Sequence, residues 1–150
     1  MKILKEKDKP RKEQKKTDAQ KKKILLTWFS LAIRLSSIPQ GQVLGQCFTC
    51  GVLKEYKMLH AGHYIRASAG LSTYFDEKNV HAQCYACNIW RDGNSDEYAL
   101  RLQKKYGTDI LNELNIRKHV SLNSSSYPWA EKIEYYKNKV DILKKLYCIS

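Results

Sequence analysis

Four of the five cysteines fall as two Cys-x-x-Cys pairs, Cys47-Phe-Thr-Cys50 and Cys84-Tyr-Ala-Cys87, with 33 residues between them. A Cys-x-x-Cys turn presents two thiolates to one ion. Two such turns complete a tetrahedral four-cysteine zinc site with no open position for catalysis. A thioredoxin-like redox pair needs only one such turn beside a βαβ pattern. Disulfides are disfavoured in a reducing compartment, and nothing else in the chain points to the electron transfer of an iron–sulfur cluster. A structural Zn2+ held by Cys47, Cys50, Cys84 and Cys87 is therefore expected, with Cys148 set apart as a buried or incidental thiol.

A second group of residues is threaded between and around these pairs. Leu59-His60-Ala61-Gly62-His63-Tyr64 lies between them, Asn79-Val80-His81 precedes the second, and Asn88 follows it directly. Phosphodiester hydrolysis needs a base to deprotonate water and a hard cation to neutralise charge on the leaving oxygen. Histidine, with an ordinary pKa near 6.5, suits the first task. Oxygen donors such as an Asn carbonyl or a carboxylate suit Mg2+ for the second. The same residues also fit a zinc-binding DNA module without catalysis, in which the histidines pack or contact phosphate.

The order Cys-x-x-Cys-Gly, Ala-Gly-His-Tyr, Asn-Val-His-x-Gln-Cys-x-x-Cys-Asn and Gly93-Asn94 resembles the NinG/Rap recombination endonucleases of lambdoid phages. The resemblance runs from about Trp28 through the last helix and is densest over 47–107. More distantly the pattern is similar to phage endonuclease VII and the HNH, or His-Me finger, nucleases. The resemblance implies an α+β fold: a zinc-stapled treble-clef ββα-metal (HNH-like) core with flanking α-helices. It implies that His63 is the general base, that Asn79 holds the loop positioning it, and that Asn88 ligates a catalytic Mg2+ or Mn2+. On a helix starting at Asn88, Asp92 would face the same way as a further ligand. Endonuclease VII carries an Asp immediately before its base, where this chain has Gly62; NinG/Rap sequences carry an acid three residues before, where this chain has His60. Positions 60 and 62 of a strand share a face, so His60 is a replacement ligand that would favour Mn2+ over Mg2+. His81 also matches a family position and joins the catalytic candidates without an assigned role, with metal ligation, phosphate contact and structural hydrogen bonding all open.

These residues need elements to hold them. A helix is expected from Ile24, with Leu25, Trp28, Phe29, Ala32 and Ile33 on one face, ending before Ile38-Pro39. Leu59–Ile65 and Asn79–Gln83 read as strands or extended loops. A helix beginning at Asn94 or Ser95, with Asn94 and Glu97 as a capping box, stops at Gly107. A short helix capped by Thr108-Asp109 runs to Leu114, and Pro128 sits in the first turn of a final helix. There Trp129, Ile133, Tyr136, Val140, Leu143 and Tyr147 repeat at helical spacing, as core or as a dimer interface. Residues 24–150 form one domain, with a catalytic core of about 46–107 and a final helix of about 128–147.

Charge points to the partner. The chain has 27 Lys+Arg against 15 Asp+Glu, a net +12. Residues 1–23 hold eleven Lys/Arg and four acids, forming a basic tail expected to be disordered until bound. This implies a polyanionic partner. The resemblance narrows it to branched DNA, Holliday junctions and D-loops, cut by a homodimer. Arg66 and Arg91 are candidate phosphate contacts, and Tyr85 and Trp90 are candidates for stacking on bases at a branch point or for core packing. The N-terminus is too charged for a secretory leader, and Ile24–Ile33 is too short to span a bilayer. A cytoplasmic protein is expected, acting in the bacterial host cell if phage-encoded, with no membrane partner.

Overall fold

The structure, a computed structural model, describes residues 15–149. Five helices and two small antiparallel sheets follow one another as α1 (Asp18–Leu35), β1 (Gly45–Gln46), β2 (Leu53–Lys54), β3 (Leu59–His63), α2 (Leu71–Tyr74), β4 (Val80–Cys84), α3 (Ser95–Tyr106), α4 (Ile110–Lys118) and α5 (Trp129–Leu146). β1 pairs with β2, and β3 with β4. The architecture is thus α+β, as expected. No helix among the described residues is long and apolar enough to cross a membrane.

Helix α1 begins six residues before the expected Ile24. Thr17 supplies the reason: its hydroxyl accepts from the Gln20 backbone N–H at 3.3 Å, and the Gln20 side chain accepts from Thr17 N–H at 2.9 Å. This capping box lies inside the basic run, where charge masks it. The expected disordered tail is therefore helical over 18–23, and its residues 1–14 lie outside the described residues. The apolar face of α1 packs on α5, burying Leu25, Phe29 and Ala32 with Trp129, Tyr136 and Val140. Phe29 meets Phe75 and Tyr136 edge-on, at centroid distances of 5.4 and 5.0 Å. The repeat in α5 is thus core, and β3 and β4 lie against α1 through Leu59, Val80 and Ala82. Pro128 stands just before α5 and not within its first turn.

A smaller core gathers Tyr98 and Leu102 of α3 with Ile110 and Leu114 of α4. Helix α3 starts at Ser95, but the expected capping box does not form. Asn94 adopts a left-handed backbone (φ 51°) and turns its amide toward Cys87 Sγ at 3.7 Å, while Glu97 pairs with Arg101 at 2.6 Å. Helix α4 continues four residues past Leu114, and Asp109 makes no side-chain cap bond. Strand β3 stops at His63, two residues short of Ile65, because Ile65 N–H turns away from the ladder to the Asn79 side chain at 2.7 Å. The register pairs Leu59 with Cys84, His60 with Gln83, Gly62 with His81 and His63 with Val80.

Candidate metal centre and histidine cleft

Two separate elements deliver the cysteines. The β1–β2 turn holds Cys47 and Cys50, and Gly51 closes it with φ 77°, a conformation that favours glycine. Cys84 ends β4, and Cys87 sits in the π-helical turn Ala86–Trp90 that follows. The four Sγ atoms lie within 4.8 Å of one another, and Cys50 and Cys84 are 3.8 Å apart. Zinc–sulfur bonds of about 2.3 Å at tetrahedral angles put sulfurs about 3.8 Å apart, so the cluster can hold a metal ion such as zinc. Burial pushes the Cys47 thiol up. Hydrogen bonds from Thr49 and from nearby backbone N–H groups outweigh it and bring the pKa down to about 6. Burial pushes Cys50 up to about 12, with the neighbouring Cys47 and Cys87 adding to the rise.

His63 ends β3 at the wall of a cleft of about 590 Å3, shared with Asn88, Asp92, Arg66 and Tyr98. Its Nε2 lies 2.9 Å from the Tyr74 carbonyl. A carbonyl only accepts, so Nε2 carries the proton and Nδ1 keeps its lone pair. Burial lowers the His63 pKa, and the bond to Tyr74 offsets this in part. Asn79, fully buried, holds the segment that carries Tyr74. Its Oδ1 accepts from Ile65 N–H, and its Nδ2 donates to the Ile65 and Thr73 carbonyls, both at 3.0 Å.

Asn88 lies in the π-helical turn, directly after the last cysteine, and its Nδ2 donates to His60 Nδ1 at 3.1 Å. Above Gly62 a Cβ would fall 2.0 Å from Gln83 Oε1 and 3.0 Å from Asn88 Oδ1. The Gln83 amide fills that space because its Nε2 is committed to the Gly93 carbonyl (2.7 Å) and Thr49 Oγ1 (3.3 Å). Its Oε1 is buried without a hydrogen-bond partner. An acid at position 62 has no room, which is the physical reason for glycine there.

A family model described as the Bacteriophage Lambda NinG protein matches residues 1–146. The chain belongs to the NinG family. It is 35% identical over 68 residues to protein ninG of Escherichia phage 933W and equally to that of Salmonella phage P22, covering 45% of this chain and 33% of each relative. To protein ninG of Escherichia phage lambda it is 29% identical over 102 residues, 64% of this chain and 47% of that relative. The chain spans less than half the length of these curated relatives. No solved structure matches it.

Within this NinG chain the expected residues separate into two groups. His63, Asn88, Asp92 and Arg66 meet at one cleft, with Asn79 behind them and His60 on Asn88. Asp92 reaches the cleft for a different reason from the one expected. Residues 86–90 form a π-helical turn and Asp92 has φ 46°, so no regular i, i+4 face exists. Its exposed carboxylate instead pairs with Arg66 at 2.7 Å.

His81 is a correction, because the structure removes it from the cleft. Both ring nitrogens are taken, Nδ1 by Tyr98 Oη and Nε2 by Tyr106 Oη, each at 3.0 Å, and the ring stacks on Phe48 at 3.9 Å. Burial, reinforced by the charge of Lys105, lowers its pKa to about 3, so it is a neutral structural group. Arg91 is also set apart, beside Trp90 and the cysteines. Cys148 is exposed and outside the cluster. Sequence reasoning missed Gln83, Tyr74 and Tyr98. Tyr98, fully buried, donates to the Gly62 carbonyl at 2.9 Å and so fixes the strand just before His63. The family string Asn-Val-His-x-Gln-Cys contains Gln83, but its task is visible only once it is seen folded over Gly62.

Proposed function

We propose that this chain carries the nuclease centre of a metal-dependent endonuclease that hydrolyses phosphodiesters in branched DNA, with β3, β4 and the following turn and helix as a ββα-metal unit. One observation carries the reading: His63 is held by its Nε2–H on a backbone carbonyl, so its unprotonated Nδ1 is available in a cleft bordered by Asn88. A base needs this tautomer, and the lowered pKa keeps it neutral at physiological pH. Asn79 acts at one remove by fixing the segment behind Tyr74. Arg66, at the cleft mouth, is placed for a phosphate oxygen.

The donors near Asn88 fit a divalent cation. Asn88 Oδ1 and the partnerless Gln83 Oε1 both border the space beside Gly62, at 3.0 and 2.0 Å from where a Cβ would stand there, and amide oxygens of this kind suit a hard cation. Asn88 Oδ1 would hold Mg2+ or Mn2+, with His60 joining on release of its Nδ1 from the Asn88 amide and Asp92 on leaving Arg66. Such an ion supplies charge neutralisation at the leaving oxygen. Zn2+ on the four cysteines is the staple that keeps Asn88 opposite His63. Symmetric cutting of two strands calls for a homodimer. Tyr135, Ile142 and Leu146 on the outer side of α5, each more than half exposed, offer apolar surface for a second copy.

The test is cleavage of labelled linear, flapped and four-way DNA in Mg2+ or Mn2+ by the wild type and by His63→Ala. General-base removal should slow cutting by about 10²–10⁴-fold with DNA binding unchanged. Near-normal cutting by a folded His63→Ala protein would remove His63 as the base. The alternative of a non-catalytic zinc-binding DNA module rests on the pairing of Asp92 with Arg66, which leaves the cleft without a free carboxylate. It predicts binding without cleavage in any divalent metal.

A further inference from the structure

Trp90 is 77% exposed and Tyr85 50%, although aromatic side chains of this size are normally well covered. They sit on the same turn as Asn88 and line a groove of about 440 Å3 with Val52, Met58, Lys54 and Arg91. The Trp90 ring is not loose. Tyr85 braces it edge-on at 5.6 Å and 82°, and Tyr85 stands edge-on to His60 at 5.7 Å and 83°. His60 is in turn the hydrogen-bond partner of Asn88. A flat aromatic face is thus held open to solvent and tied mechanically to the proposed metal side of the cleft. Its rim carries two cations and no carboxylate.

We infer that Trp90 and Tyr85 form a stacking platform for an unstacked base at a DNA branch point, with Lys54 and Arg91 taking the flanking phosphates. The chemistry selects this occupant. An indole face with cations beside it matches a base and its phosphates, the pairing used by single-strand binders. In a continuous duplex every base face is covered by its neighbour, so only an unstacked base at a flap, junction or bulge can use the platform. Stacking there separates branched from linear DNA, a discrimination that phosphate contacts alone do not supply. The inference rests on the DNA-binding part of the proposed function and adds the residue that recognises structure.

The experiment uses the full zinc-loaded chain without added Mg2+ or Mn2+. Affinities are measured for a four-way junction with 2-aminopurine at the branch point and for a linear duplex of equal length, using the wild type, Trp90→Ala and Trp90→Phe. Loss of one stacked base should weaken junction binding by about 5- to 150-fold. Duplex binding should be unchanged, the Phe variant should retain most of the affinity, and 2-aminopurine quenching should vanish with Ala. Equal loss on both DNAs, or no loss on the junction, overturns the platform. So does a change of oligomeric state in Trp90→Ala, which would make this face an interface between copies. Wild-type protein that binds neither DNA overturns the DNA reading itself. Junction binding that is indifferent to Trp90 overturns only the platform.

Discussion

Replacing Gly62 by alanine tests the geometry around which the cleft is built, without depending on any assay of activity. The added Cβ would sit 2.0 Å from Gln83 Oε1 and 2.8 Å from Gln83 Cδ, closer than such carbons approach, and 3.0 Å from Asn88 Oδ1. The Gln83 amide must leave. In doing so it gives up its bonds to the Gly93 carbonyl and Thr49 Oγ1 in a fully buried site. Overpacking of this kind costs about 1–3 kcal/mol and each lost hydrogen bond about 1 kcal/mol, for a total of about 3–5 kcal/mol. For a chain of this size that lowers the melting temperature by roughly 6–20 °C. Gln83→Ala should relieve the clash, so in its background Gly62→Ala should cost less than about 1 kcal/mol, a coupling of at least about 2 kcal/mol in a double-mutant cycle. The assay is thermal or urea unfolding of the four zinc-loaded proteins. If Gly62→Ala melts with the wild type, or if its penalty is the same with and without Gln83, then Gln83 does not occupy the space above Gly62. Steric exclusion by that amide would then not be the reason for glycine in place of an acid.

Zinc should be bound at one equivalent per chain. Because such sites contribute on the order of 10 kcal/mol, comparable to the whole stability of a domain, chelation or Cys87→Ser should unfold the region around β3 and β4, read by circular dichroism. His81 excludes a proton that the unfolded chain takes up below pH 6.5. Stability should therefore fall as pH drops below about 6.5, by at most about 1.4 kcal/mol per pH unit down to about pH 3. His81→Gln should lose that component, and urea midpoints of both proteins between pH 7.5 and 5 measure the difference, zinc loss being common to the two. Under the proposed role of His63 as base, its lowered pKa should put the half-maximal cleavage rate on the acid limb below pH 6.5, with rate rising with pH; a midpoint above 7 would contradict that role.

Much of the fold and site was legible in the residues, and the failures have physical causes. The doubled Cys-x-x-Cys spacing carries its own geometry, because two short turns that bind one ion leave few other arrangements, and the four sulfurs do cluster. Helix α1 was recognisable from its apolar face, yet its start was hidden because a capping box made of Thr17 and Gln20 looks like ordinary polar sequence inside a lysine run. His81 illustrates a harder limit. On the sequence it is a third histidine near a metal motif, and only the fold shows that α3 brings two tyrosines to its two nitrogens. Asp92 reached the cleft through a turn that periodicity cannot describe, since its backbone is left-handed. Gln83 was invisible as a participant because its importance lies in the side chain missing from Gly62, across the strand pair.

That cross-strand relation also explains how a metal held by the four cysteines would govern the cleft from outside it. Cys84 pairs with Leu59 at one end of the β3–β4 ladder, and Val80 pairs with His63 at the other. Gln83 and Gly62 lie between, so the register that brings Cys84 to the other sulfurs also sets where Gln83 folds and where His63 emerges. Asn88 is one residue beyond Cys87, and its amide touches both the Gly62 space and His60. A slip of one residue would send every side chain of the strand to the opposite face. An ion on the four sulfurs would fix that register from one end, while Asn79 and Tyr98 fix it from the other through Ile65 and the Gly62 carbonyl. Loss of either anchor should therefore displace His63 and Asn88 together.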